Sequence, residues 1–239
     1  MLDFSRFGRE DHRGDGSPVM TSSSASRKRR LRSRLAFALA LLVSIAVHPG
    51  RAPAAADDTA PSAAWALLFE EDTSDPYGRK LLGSVVWHTD TIKSDGAPDE
   101  TIVLADVDIP KRFKMTLILK RNTDKALPAS HLIELTFVPV PGYIGQRINN
   151  VVGMLTKTTE QGRGTALAGI SARVTDNMFM IGLSNGQADR QRNLQALKER
   201  PWFDIAIVDG NQHRAILAVE KGAAGDSAFT AALTAWGQN

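Results

Sequence analysis

Between residues 111 and 121 the apolar side chains Phe113, Met115, Leu117 and Leu119 alternate with Lys114, Thr116, Ile118 and Lys120. A period of two puts alternate side chains on opposite faces, so the pattern predicts a strand with one face buried. Comparable runs, each bounded by Gly, Pro, Asp or Asn, predict strands over 65–70, 81–89, 101–109 and 131–138. Farther on, 166–174 and 178–183 flank Thr175-Asp176-Asn177 and predict a hairpin. Residues 202–208 and 212–219 flank Asp209-Gly210-Asn211, where Asp-Gly predicts a tight turn with positive φ.

Two stretches carry a helical signature. Residues 186–200 are rich in Gln, Arg, Lys and Leu, and Pro201 ends the run. In the last segment Phe229, Leu233 and Trp236 recur at i, i+4 and i+7, one apolar stripe, with Asp226 as the expected N-cap. Residues 139–157, with Pro141, Gly142, Gly145 and Gly153, read as a long loop. Closely successive strands favour antiparallel pairing over βαβ crossovers. The expected fold is mainly β: a two-sheet antiparallel β-sandwich with two peripheral helices, one at the C-terminus, whose core takes Trp65, Trp87, Phe113, Phe137, Phe179 and Phe203.

The N-terminal region follows a different pattern. Arg27, Lys28, Arg29, Arg30, Arg32 and Arg34 precede residues 35–47, in which only Ser44 is polar. Thirteen residues in a helix at ~1.5 Å each fall short of a hydrocarbon core ~30 Å thick, so the stretch suits a removable signal better than an uncleaved anchor. His48, Pro49 and Gly50 follow, and Ala54 and Ala56 supply the small residues of a cleavage site. The expectation is a signal peptide over 1–56 cut after Ala56, with Ala54 as alternative, a flexible lead over 57–64, and a β-rich exported domain over 65–239. Asp3, Glu10, Asp11 and Asp15 dilute the basic n-region, which points to Met20 as the true start. Arg29-Arg30 lacks the rest of a twin-arginine motif.

Cleavage would change the charge. The first 56 residues hold 10 of the 29 Lys and Arg but 4 of the 26 Asp and Glu, leaving 19 basic against 22 acidic residues. The sequence pI near 9.3 then belongs to the signal and argues for no nucleic-acid partner. Cysteine is absent, which excludes disulfides, a thiolate nucleophile and a lipoprotein anchor. The remaining 183 residues are enough to bury about 70% of the unfolded surface in one domain.

The strand, Asp-Gly turn, strand and helix of residues 202–236 resemble the ending of the invasion-associated locus B family of exported bacterial proteins. That resemblance, from Ala188 to Trp236, implies an envelope location and a β-sandwich with a closing helix, although family members usually carry cysteines. The runs 121–131 and 189–194 also resemble uncharacterised exported proteins of soil and symbiotic bacteria, and imply no catalytic residues.

Gly182-Leu183-Ser184-Asn185-Gly186 matches G-x-S-x-G between an expected strand and an expected helix, the setting of a nucleophile elbow. Asp204 and His213 follow in hydrolase order, so acyl transfer would use Ser184 as nucleophile, His213 as base and Asp204 to orient the imidazole. Against this stand the consecutive strands before Ser184, the absence of an HGGG-type loop, and a strongly polar helix after it. Ser184 with Gln187 three places on is explained more simply as a capping box that starts the helix.

His88, His131 and His213 have no second ligand at helical spacing, and the acidic turn Glu70-Glu71-Asp72 with Asp75 lacks a calcium-loop pattern. Gly162-Arg163-Gly164 lacks the Gly-Lys-Ser ending of a phosphate loop. No motif calls for a metal or cofactor. The function expected is therefore non-catalytic: an exported periplasmic or secreted binding module for an unknown protein or envelope component, with no permanent membrane span after cleavage. Long loops in compact domains often carry function, which makes Tyr143, Ile144 and Arg147 the candidate contact residues.

Overall fold

A computed structural model describes residues 63–72, 75–94 and 97–238. The expected signal peptide, the Met20 start and the lead as far as residue 62 lie outside the described residues. In chain order the elements are β1 (Ala64–Asp72), β2 (Asp75–Ser94), β3 (Ala97–Ile109), β4 (Phe113–Arg121), β5 (Ala129–Pro139), β6 (Ile148–Lys157), β7 (Thr165–Ala166), β8 (Gly169–Thr175), β9 (Met178–Ser184), α1 (Gln187–Glu199), β10 (Trp202–Asp209), β11 (Arg214–Glu220) and α2 (Gly222–Ala235).

The chain is mainly β and its paired strands are antiparallel, as the alternation predicts. The two-sheet sandwich is corrected: the eleven strands among the described residues form one sheet in the order β7-β6-β10-β11-β1-β2-β3-β4-β5-β9-β8. Alternation reports that one face is buried; it does not distinguish two stacked sheets from one sheet curled on itself. Trp87 on β2 and Phe203 on β10 have β1 and β11 between them, three spacings that span roughly 14 Å in a flat sheet at ~4.8 Å each. Their ring centroids nevertheless lie 5.9 Å apart. The sheet curls until its inner side chains meet.

The sheet's two ends also approach each other. Ile148 N–H of β6 donates to Asn177 Oδ1 in the β8–β9 turn at 2.9 Å, and Arg173 of β8 donates to the Asn149 carbonyl of β6. The second correction follows. The expected loop over 139–157 contains β6, which pairs with β10 from Ile148↔Asp209 to Lys157↔Trp202. Pro141, Gly142 and Gly153 disguise it, and Gly153 sits where the register with β10 slips by one residue, a bulge that suits glycine. The irregular segment is only 140–147.

The inside of the curl is packed by side chains. Trp87, Phe203 and Phe229 of α2 form one aromatic cluster, with Phe229 centroids 5.4 and 5.6 Å from the other two. Phe113, Phe137 and Phe179 form another, edge to face at 5.4 and 6.1 Å, the arrangement aromatic quadrupoles prefer. Trp65 departs from the expected core and is 55% exposed.

The apolar stripe of α2 is buried at Phe229, Leu233 and Trp236, and Trp236 Nε1 donates to the Thr101 carbonyl at 2.8 Å. The helix starts at Gly222, so Asp226 does not cap it. Instead Asp226 Oδ1 lies 2.9 Å from Lys221 Nζ, and the fully buried Lys221 also donates to the Leu197 and Lys198 carbonyls at 3.1 and 2.6 Å. Those are orphan acceptors at the end of α1, so one ammonium ties the two helices together. Among the described residues no helix is long and apolar enough to cross a membrane.

Candidate functional site

One end of the curled sheet carries a cleft of about 170 Å³. Its walls are the end of β1, the start of β2, the β3–β4 turn, the 140–147 segment and the β10–β11 turn. Arg112 enters from the β3–β4 turn and grips Glu70 of β1 with two hydrogen bonds, Nε to Oε1 at 2.6 Å and Nη2 to Oε2 at 2.8 Å. Such a fork on a carboxylate is among the strongest side-chain pairings. It raises the Arg112 pKa above its ordinary value, against the opposing pull of burial.

The same guanidinium lies 5.9 Å from the centroid of the Tyr143 ring, and Phe113 meets that ring edge-on at 6.3 Å. Tyr143 is 9% exposed and its neighbour Ile144 is 73% exposed. The first anchors the segment and the second projects from the rim of the cleft. Burial first, then the Asp209 and Glu70 carboxylates, hold the Tyr143 phenol above its ordinary value of 10.0, so it stays protonated. Among the described residues the phenol hydroxyl makes no hydrogen bond to protein, and Tyr143 lines the cleft.

The β10–β11 turn is the expected hairpin with a different backbone. The residue with positive φ is Gln212, at 68°, and not Gly210. Asp209 Oδ1 accepts the Asn211 and His213 N–H groups at 2.8 and 2.9 Å, an Asx-type turn. Gly210 is required for a different reason: its N–H donates to the Gly145 and Arg147 carbonyls at 3.1 and 2.9 Å, and a Cβ there would stand 2.6 Å from the Gly145 oxygen. Asn211 Nδ2 also donates to the Ile144 carbonyl at 2.8 Å. The turn thereby holds the 143–147 backbone in place. At Gly145 a Cβ would lie 2.5 Å from Tyr143 Cζ and 2.7 Å from Asp209 Oδ2.

Several polar side chains of the cleft have partners within it. Besides Arg112 with Glu70, Arg79 Nη2 donates to Asp72 Oδ2 at 3.0 Å, His213 Nδ1 is 3.4 Å from Asp209 Oδ2, and Glu71 Oε2 accepts the Arg214 N–H at 3.3 Å. Of the contact residues expected from sequence, Tyr143 and Ile144 both line this cleft. Arg147 lies beside it, its side chain exposed and its carbonyl bonded to Gly210. Arg112 and Glu70 were not foreseen. They are 42 residues apart, and only the register of the sheet brings them together.

The residues of the possible triad are held apart in separate interactions. Ser184 Oγ donates to Asp189 Oδ2 at 2.8 Å and accepts the Gly186 N–H at 3.3 Å. Gly186, not Ser184, is the N-cap of α1, and no side chain caps that terminus, so the capping box is corrected to a local turn. Asp204 lies 2.8 Å from Lys157 Nζ. Burial raises its pKa, the Lys157 hydrogen bond and charge opposing. His213 pairs with Asp209 at the far end of β10, and the five residues from Asp204 to Asp209 span roughly 16 Å of strand. His213 lines the cleft, whereas Ser184 and Asp204 do not.

Buried His131 bonds Gln238 Oε1 through Nε2 at 2.9 Å and Ser130 Oγ through Nδ1 at 3.2 Å. Among the described residues no three His, Asp or Glu side chains converge as metal ligands.

Comparisons with protein-family models, with curated proteins and with solved structures find no match to this chain.

Proposed function

We propose that this chain is an exported, non-catalytic binding module, periplasmic or secreted, whose contact surface is the cleft at one end of the curled sheet. The observation that carries the reading is the contrast between adjacent residues: Tyr143 is anchored in the core and Ile144 is 73% exposed at the rim. An apolar side chain presented on a segment already fixed by Gly210 and Asn211 binds without first losing loop entropy. Arg112 with Glu70 and Arg79 with Asp72 are engaged in ion pairs, which suits recognition through a fixed surface. The partner is an unknown protein or another component of the envelope.

Export rests on the basic cluster at 27–34, the apolar run 35–47 and the small residues Ala54 and Ala56. Capture from envelope extracts tests the reading. The wild-type protein retains a specific partner and Ile144→Asp does not, with the two equally stable. Equal capture by both would remove the cleft from the function.

A further inference from the structure

Resting on that reading of the cleft, we infer that the group it takes is a neutral polyhydroxyl unit, a sugar ring of about hexose size. Size sets the first limit. A cavity of about 170 Å³ holds roughly half a dozen waters at ~30 Å³ each and falls short of the ~300–1,000 Å³ of drug-sized pockets. Charge sets the second. Four carboxylates line the cleft against three guanidinium groups and one imidazole, and the pairs formed by Arg112 with Glu70 and Arg79 with Asp72 already neutralise one another. At these four side chains a free anion or cation would have to compete with a partner in place. A neutral ligand does not.

Hydrogen-bond chemistry supplies the third. A sugar hydroxyl both donates and accepts, so it can use guanidinium N–H groups and the spare carboxylate lone pairs of one ion pair together. The Tyr143 hydroxyl, unbonded to protein among the described residues, belongs to a side chain that lines the same space, where a ligand hydroxyl can accept from it. Ile144 at the rim offers an apolar surface to the C–H face of a ring, while Gly145 adds no side chain to the cleft wall.

The test is an amide-resonance titration of the ¹⁵N-labelled protein with glucose, galactose, mannose and N-acetylglucosamine, and with inorganic phosphate and methylguanidinium as charged probes. At least one sugar shifts the Ile144, Gly145 and Gly210 amides with millimolar affinity. Tyr143→Phe keeps the ring packed on Phe113 and weakens that affinity about threefold to tenfold, the effect of one hydrogen bond. No shift with any sugar up to about 50 mM, or larger shifts of these amides with either charged probe, overturns the inference.

Competition by purified envelope polysaccharide assigns the sugar to a surface glycan. Sugar binding without such competition assigns it to a free saccharide, and both results uphold the ligand class. If the sugars fail while Ile144-dependent capture of a protein partner persists, the ligand class falls and the contact surface stands.

Discussion

Arg112 holds Glu70 by two hydrogen bonds of 2.6 and 2.8 Å across 42 residues of sequence. Both side chains are largely withdrawn from water, at 14% and 17% exposure. Removing one partner leaves the other charge without compensation in a partly buried site. Arg112→Ala therefore lowers unfolding stability by about 2 kcal/mol in urea titration. A loss under ~0.5 kcal/mol, the ordinary surface effect, would show that solvent already carries that charge.

Gly145 is the tightest point of the cleft floor. Gly145→Ala drives a methyl group into the Tyr143 ring and the Asp209 carboxylate, neither of which can retreat without breaking the aromatic packing or the β10–β11 turn. The expected cost is about 2 kcal/mol, together with new protease cleavage between Pro139 and Lys157. Unchanged stability and an uncut segment would mean that the turn has room to shift.

Ser184→Ala removes the bonds to Asp189 and Gly186 and costs about 1 kcal/mol. Wild-type protein treated with a fluorophosphonate stays unlabelled, because the Ser184 hydroxyl donates to the Asp189 carboxylate and, among the described residues, bonds no imidazole. Labelling that disappears in the variant would restore the acyl-transfer reading.

His131 makes stability depend on pH. Burial, then the Arg190 and Arg121 charges, lowers its pKa, opposed by the Gln238 hydrogen bond and by Glu100. Its folded value is below the ordinary 6.5, so on acidification the unfolded chain takes up a proton before the folded one does. The contribution is full above pH 6.5 and is lost as pH falls toward the folded value, with a limiting slope of about 1.4 kcal/mol per pH unit.

Asp204 works in the opposite sense and at lower pH. Its folded value is raised above the ordinary 3.8, so its effect on stability worsens as pH rises through that window. The difference between wild type and His131→Gln isolates the histidine. Denaturation midpoints between pH 5 and 7 converge toward acid, and parallel curves would refute the assignment.

How much was legible in the sequence depends on the range of the interaction. Phe113 to Leu119 alternate plainly because β4 has one face in the core and the other outside. The β8–β9 and β10–β11 hairpins are local, and their turn residues announce them, although Gln212 rather than Gly210 adopts the left-handed conformation. β6 was hidden because a bulge at Gly153 and the residues Asn149-Asn150 interrupt its apolar rhythm. Curling was hidden because it depends on the meeting of Trp87 with Phe203, 116 positions later in the chain.

The cleft was half legible. Tyr143 and Ile144 were reached through a long loop that proved to be a short segment ahead of a strand, with Tyr143 anchored in the core. The proximity of Asp209 to that segment and the pairing of Glu70 with Arg112 arise from strand register, which no local pattern encodes. Ser184, Asp204 and His213 carried the right order for a triad, but order along the chain fixes no distance.

The most direct measurement places a photoreactive amino acid at position 144 in the producing cell and, as a control, at Ile170, another highly exposed apolar position, on β8 outside the cleft. Irradiation is predicted to give a discrete covalent adduct from position 144 and none from position 170. Identical products from both positions, or none from either, would contradict a preformed contact surface at Tyr143 and Ile144.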